Sequence, residues 1–156
     1  MSIEIARKYL KEIGYEDRIL EFDESSATVE LAARAVGVEE ARIAKTLSFW
    51  REGGCILILA AGDARIDNAK FKGQFGMKAR MLAAEDVEKE TNHAIGGVCP
   101  FGVPDTALVY TDISLKRFDE VYPAAGNSAS AVRLDCDELY AASKSLGWID
   151  VCKNWQ

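Results

Sequence analysis

Histidine, proline and long apolar runs are all scarce in this sequence. A single histidine, His93, stands among 156 residues, which excludes any site built on two or more histidine ligands. With 12 glycines and 3 prolines, the chain is neither collagen-like nor of low complexity. No two cysteines have the Cys-x-x-Cys spacing. Cys55, Cys99, Cys136 and Cys152 match neither a zinc ribbon nor a small disulfide framework, so a reduced, cytoplasmic compartment is the simplest reading. The longest strongly apolar run, Cys55 to Ala61, falls far short of the roughly 20 residues a membrane helix needs. The first residues, Met-Ser-Ile-Glu-Ile-Ala-Arg-Lys, are amphipathic and charged, unlike a signal peptide. Neither secretion nor a membrane partner is expected.

What is present is the balance of a globular domain, with 49% hydrophobic and 28% charged residues. A chain of this length buries roughly 70% of its unfolded surface and needs no staple to fold. Nothing in it reads as a linker or repeat, so residues 1–156 are expected to form one domain. The net charge of -6 argues against indiscriminate nucleic-acid binding. One segment runs the other way: Arg65, Lys70, Lys72, Lys78 and Arg80 stand against Asp67 alone. It is a candidate nucleic-acid face, with a solvated helix face as the alternative.

Periodicity gives the elements. Ile3, Ala6, Tyr9, Leu10 and Ile13 fall at helical spacing before Gly14, and Arg18 to Asp23 reads as a short strand. Thr28 can cap a helix through Leu31, Ala32 and Ala35 that ends at Gly37. Lys45 to Arg51, the turn Glu52-Gly53-Gly54 and Cys55 to Ala61 form the clearest hairpin. Its second arm is apolar on both faces, which marks a central strand. Asp67 can cap a helix carrying Phe71 and Phe75 and ending at Gly76, followed by a strand at Ala79 to Leu82 and a helix at Glu85 to Glu90. Ala107 to Thr111, Glu120 to Ala124 and Ala129 to Leu134 read as strands. Asp135 or Asp137 can open a helix over Leu139 to Leu146, and Trp148 to Val151 is a last strand. An α/β (α+β) fold follows: a mixed, largely antiparallel sheet or barrel with helices outside.

Between Thr91 and Asp105 the periodicity dissolves, and Gly96-Gly97-Val98-Cys99-Pro100-Phe101-Gly102 is the most distinctive stretch. Glycines let backbone N–H groups approach a ligand, and such a loop can hold a carbonyl oxygen that gains charge during acyl transfer. A tight surface loop is the plain alternative. Lys45 could hold a phosphate or polarise a carbonyl, or simply snorkel from the sheet to water. His93 and Cys99 lie near the loop, but no serine or cysteine has an evident histidine and carboxylate partner, so no triad can be assembled.

Taken in order, several stretches resemble the YbaK/prolyl-tRNA synthetase-associated domain family of aminoacyl-tRNA editing deacylases. They are Ile43-Ala44-Lys45-Thr46-Leu47, Ala61-Gly62-Asp63 with Ile66-Asp67 and Lys70, Gly96 to Gly102, Tyr110-Thr111-Asp112, and Ala125-Gly126. The resemblance runs from about Glu21 to Val151; Gly96 and Pro100 match the Gly-x-x-x-Pro motif and Lys45 the lysine of the Lys-Thr-Leu strand. It implies a barrel-like mixed sheet and hydrolysis of an amino acid ester on a mischarged tRNA, with alanine or cysteine on a proline tRNA as the usual substrates.

The resemblance implies no cofactor and no metal, and an aminoacyl-tRNA synthetase as a further partner. On this reading Lys45 and the amides of Gly97, Val98 and Cys99 are catalytic. Phe22, Thr46, Gly96, Pro100, Phe101, Gly102, Asp112, Ala124 and Gly126 bind substrate. Arg65, Lys70, Lys72 and Lys78 meet the tRNA. The chain departs from the family pattern at two places beside the pocket: Ala124-Ala125-Gly126 replaces Ser-Gly-Gly, and Ala131 stands where some members carry Asp. The amino acid removed therefore stays open. A non-catalytic aminoacyl- or nucleotide-binding module, or a subunit active only within a synthetase complex, are the other readings.

Overall fold

The computed structural model describes residues 2–155, so the expected single unit extends to two end residues, Met1 and Gln156, that lie outside it. Its centre is the strand that is apolar on both faces. β3 (Gly54–Ala61) pairs antiparallel with β2 (Ala44–Arg51) through the expected hairpin, whose turn residue Gly53 has φ +82°. On its other side β3 pairs in parallel with β5 (Ala107–Asp112), which in turn pairs in parallel with β7 (Trp148–Ile149). Every residue from Cys55 to Ala61 is at most 3% exposed, as a strand covered on both faces must be.

Two small ladders flank this sheet: β1 (Ile19–Glu21) with β6 (Ser130–Val132), and β4 (Arg65–Ile66) with β8 (Cys152–Lys153), both antiparallel. The fold is thus mixed α/β, and most of the paired residues run antiparallel, although the central sheet contains two parallel pairings. The expected barrel is not established by these ladders, which form one four-stranded and two two-stranded sheets.

Helix ends follow local chemistry. Thr28 accepts a hydrogen bond from the Leu31 N–H at the start of α2 (Val29–Val36), and Gly37 closes it at φ +87°. Asp67 caps α3 (Asn68–Phe75) in the same way, and Gly76 closes it. At α5 (Cys136–Ala142), Asp135 and Glu138 form a capping box. Arg18 also pairs with both oxygens of Glu138, which ties this end to β1 and holds the Glu138 carboxyl below its ordinary value. α1 (Ser2–Glu12) packs Ala6 and Leu10 into the main core, and α4 (Ala84–Thr91) buries Val87 and Thr91.

Four expected elements differ. The strand at 79–82 shrinks to one bridge, Met81 to Phe49, and that at 120–124 to the bridges of Tyr122 with Ile43 and Val121 with Leu134. Pro123 lacks the N–H that a longer ladder would use. The last helix stops at Ala142 instead of Leu146, because the chain turns at Lys144 (φ +54°) and sends the Leu146 N–H to the Val109 carbonyl. The expected strand 148–151 shortens to β7, and β4 and β8 had no sequence expectation at all. No helix among the described residues is long and apolar enough to cross a membrane.

Candidate active site

At its start β2 is bridged to Tyr122, with the Ala44 N–H reaching the Tyr122 carbonyl at 3.1 Å. Near its end it is bridged to Met81, with the Trp50 N–H on the Arg80 carbonyl and the Leu82 N–H on the Ser48 carbonyl. Between these bridges the edge is open. By antiparallel alternation the N–H and C=O of Thr46 point out of this gap, where no strand meets them.

A cavity of about 370 Å³ fills the gap. Its walls are Ala44, Thr46 and Ser48 from one face of β2, Ser26 to Val29 and Ala32 around the start of α2, and Val87 of α4. Ile95, Gly96 and Val98 of the glycine loop, Tyr122 and Ala124, and Ser130 and Ala131 of β6 complete it. The wall is mostly apolar, and Lys45 is the only charged residue bordering it among those described. Two hydroxyls stand out. The buried Oγ atoms of Thr46 and Ser130 have no hydrogen-bond partner among the described residues. The other hydroxyls of this wall with assigned partners are engaged: Thr28 caps α2, and Ser26 accepts from the Ser130 N–H.

Lys45 follows the alternation of the strand. It shares a face with Leu47 and Phe49, and these three border an open groove of about 490 Å³ with Arg65, Ile66, Asn68 and Lys153. Cavity and groove share Lys45 and Met81, so Lys45 stands on the wall between them. Its half-buried ammonium donates to the carbonyls of Gly62 (3.4 Å) and Ala64. Burial holds its pKa below the ordinary lysine value. An ammonium carries three donors, and these two contacts leave one for a ligand.

The two glycines of the loop pack closely against neighbouring backbone and side chains. Gly96 adopts φ +93°, and a Cβ on it would stand 3.3 Å from that of Ala27. The Gly97 N–H, expected to face substrate, instead closes a turn on the Ala94 carbonyl at 3.0 Å. The Gly97 N–H is therefore not a substrate donor, because it is already used. The N–H groups of Val98 and Cys99 have no partner among the described residues, and Val98 borders the cavity.

Beyond Val98 the loop turns inward. Cys99 and Phe101 are 0% exposed. His93 Nε2 lies 2.7 Å from the Phe101 carbonyl, which fixes it as the protonated nitrogen, and the Cys99 thiol sits 3.5 Å from the same atom. Burial pushes that thiol up to about 12, and both side chains are fully buried and border no part of the cavity, so neither residue is set up as a nucleophile or base.

Of the expected site residues, the structure brings Lys45, Thr46, Gly96, Val98 and Ala124 to the cavity. It leaves the others out. Pro100 and Gly102 border a separate hollow of about 180 Å³ beside Tyr9 and Lys144, and Phe101 packs on Tyr9. Asp112 is buried, accepting the N–H groups of Ser114 and Val151 to hold the chain crossing at the end of β5. Phe22 packs behind the cavity wall with Ala32, Ile43, Tyr122 and Ala131, and Gly126 is a left-handed turn residue at φ +99°. In the basic segment Arg65, Lys72 and Lys78 are exposed, but Lys70 is engaged by Asp150 and the Cys152 carbonyl. Ser130 was missed. Its signal was a lone hydroxyl in the otherwise apolar run Ala129 to Val132.

A family model, the aminoacyl-tRNA editing domain, matches residues 23–141 of the chain. The chain belongs to the aminoacyl-tRNA editing domain family. It is 52% identical to "Uncharacterized protein YwhH" of Bacillus subtilis (strain 168) over 157 aligned residues that cover 100% of both chains. It is 24% identical to the "Putative Cys-tRNA(Pro)/Cys-tRNA(Cys) deacylase EbsC" of Enterococcus faecalis, over 78% of this chain and 76% of that one. A proline--tRNA ligase of Nitratidesulfovibrio vulgaris is 31% identical over 80% of this chain, which corresponds to 23% of the ligase. A solved structure described as a "putative trans-editing enzyme for prolyl tRNA synthetase" superposes with a TM-score of 0.87, at 31% identity and 97% coverage of both chains. The fold shared with that structure thus extends over 97% of the chain, and the cavity between α2, β2 and the glycine loop is this member's candidate active site.

Proposed function

We propose that this editing domain is an aminoacyl-tRNA deacylase acting in trans, hydrolysing the ester of a tRNA mischarged with a small amino acid. The observation that carries the reading is the cavity at the open edge of β2, whose size suits an aminoacyl group on a terminal ribose. A proline tRNA is the favoured carrier, on the strength of relatives named for it, and a synthetase is the corresponding partner.

No acidic, histidine or cysteine residue borders the cavity, so its serine and threonine hydroxyls have no such base beside them, and the reaction is assigned no protein nucleophile. The ester is already activated: water adds to its carbonyl carbon, the acyl C–O bond to the ribose breaks, and the ribose oxygen leaves with a proton from that water as the free amino acid is released. The N–H groups of Val98 and Cys99, without a partner among the described residues, are the donors available to the oxyanion. Lys45 anchors the terminal ribose or phosphate with its remaining donor and so positions the ester. The acceptor arm then lies along the groove of Arg65 and Lys153, with Lys72 and Lys78 further out.

The test is single-turnover hydrolysis of a panel of mischarged tRNAs by the purified chain. Release of the amino acid well above the spontaneous rate is expected for at least one member. Tight binding of all of them without release would make the protein a binding module instead.

A further inference from the structure

Lys45 is held by a turn, and the turn is held in its own right. Where the chain leaves β3, the Ala64 N–H bonds the Ala61 carbonyl at 2.9 Å, and the carbonyls of Gly62 and Ala64 receive the Lys45 ammonium. Gly62 is packed so closely that a Cβ on it would stand 2.1 Å from the Glu40 carbonyl oxygen. Asp63, between the two accepting residues, gives both carboxylate oxygens to the Arg117 guanidinium at 3.0 and 2.6 Å.

Arg117 is itself fixed. Its Nε donates to the Ser114 carbonyl at 2.9 Å, one terminal nitrogen also reaches the Trp155 carbonyl, and the rings of Phe118 and Trp155 lie 4.8 and 5.1 Å away. Ser114 Oγ in turn accepts the Ala61 N–H at 3.1 Å, so the segment Ile113–Arg117 grips the turn at Ala61 and at Asp63. A part-exposed ion pair contributes little to stability. What a two-pronged guanidinium supplies is geometry, because it fixes the direction of the carboxylate as well as its distance.

We infer that Arg117 is a positioning residue for Lys45: through Asp63 it sets the turn whose carbonyls aim the ammonium at the substrate, an inference that rests on the deacylase reading above. Arg117 borders neither the cavity nor the groove, so it acts through other residues. Burial lowers the Lys45 pKa and the Asp63 carboxylate works against it, so Asp63 lies near enough for its charge to favour the ammonium. Placement of this kind matters steeply, since a shift of about 1 Å caused away from the chemistry can cost about a hundredfold in rate.

The experiment places Arg117→Gln in the wild type, in Asp63→Asn and in Lys45→Arg. On the mischarged tRNA of the panel above that the wild type hydrolyses fastest, the maximal single-turnover rate and the half-saturating protein concentration are measured. Hydrogen exchange of the Ala64 amide is followed with no tRNA present. In the wild-type background that amide is expected to exchange about tenfold faster while the amides of β3 keep their protection. The maximal rate is expected to fall about tenfold, with the half-saturating concentration within about twofold. In Asp63→Asn and in Lys45→Arg the same change should cost no more than about twofold, because the link it breaks is already lost. Arg117→Lys keeps the charge beside Asp63 without the fork; it should lose less rate, and it carries the same test if the glutamine variant melts below the assay temperature.

An unchanged Ala64 amide, or an equal fall in all three backgrounds, would overturn the inference and leave the deacylase reading standing. A raised half-saturating concentration with the maximal rate kept would overturn it too, making Arg117 a tRNA contact. Failure of the wild type to release an amino acid from any member of the panel would overturn the deacylase reading itself, and the inference with it.

Discussion

Gly97 lies flat against the backbone of Asn127: a Cβ on Gly97 would stand 2.4 Å from the Asn127 N and Cα atoms. No side chain fits there, and the obstacle is backbone, which cannot swing aside. This contact, with Gly96 against Ala27, fixes the height at which Val98 borders the cavity. The glycine pair therefore serves as a spacer between two loops.

Gly97→Ala is expected to force the two loops apart and to cost about 1–3 kcal/mol, as overpacking does. Deacylation should fall with it, since the Val98 amide moves. Gly73→Ala is the control, because nothing lies within 4 Å of its added Cβ and it sits inside α3. That change should raise stability by about 0.5–1 kcal/mol. Denaturant unfolding of the pair checks both signs.

The thiols give a second test. Burial raises Cys55 to about 11, and Cys99 and Cys152 to about 12. Native protein at neutral pH is expected to resist alkylation at these three positions and to react at all of them once denatured. Cys99→Ala should keep deacylation within about tenfold, since the backbone amide survives and the thiol faces His93. Rapid native alkylation of Cys99 that abolishes deacylation would restore it as a nucleophile.

The basic segment divides into engaged and free charges. Lys70 is held by Asp150 at 3.0 Å, whereas Lys72 and Lys78 are exposed. Changing Lys72 and Lys78 together to Ala is expected to flatten the salt dependence of tRNA binding by up to about two phosphate contacts. Lys70→Ala should leave that slope in place. The opposite order would move the tRNA to the Asp150 side of α3.

What could be read from the sequence is what neighbours in sequence decide. Thr28 and Gly37, or Asp67 and Gly76, bracket their helices through bonds to residues three or four away, so the caps were legible. The apolar faces of Cys55 to Ala61 announced a central strand in the same way. The site was harder, because its partners are distant in the chain. A glycine amide in such a loop reads as a ligand donor, and only the turn on Ala94 and the contact with Asn127, neither of which the motif encodes, engage it. Phe101 and Cys99 shared the motif with Gly96, but the chain turns inward between them to bond His93. Lys45 was legible as a site residue, yet nothing local told that the carbonyls of Gly62 and Ala64 would hold it.

That grip on Lys45 changes what its removal should do. Lys45→Ala is expected to cut single-turnover deacylation about a hundredfold, as the loss of a positioning charge does. It also strips a partner from two carbonyls, so a loss of about 1 kcal/mol in stability should accompany it. Lys45→Met keeps the aliphatic stem on the sheet but not the charge, and should be as inactive as the alanine variant. Lys45→Arg should recover part of the rate, since a planar guanidinium cannot meet both carbonyls as a compact ammonium does.

The pH dependence follows from the same burial. The folded pKa of Lys45 lies below the ordinary 10.5, so between the two values the unfolded chain binds more protons. The stability linked to this shift is therefore present above 10.5 and lost as pH falls through the folded value. Activity runs the other way: corrected for spontaneous ester hydrolysis, it should fall as pH rises through the lowered value. The Lys45→Arg variant should lack that alkaline limb, because arginine stays charged. An identical limb in both proteins would assign the titration to another group.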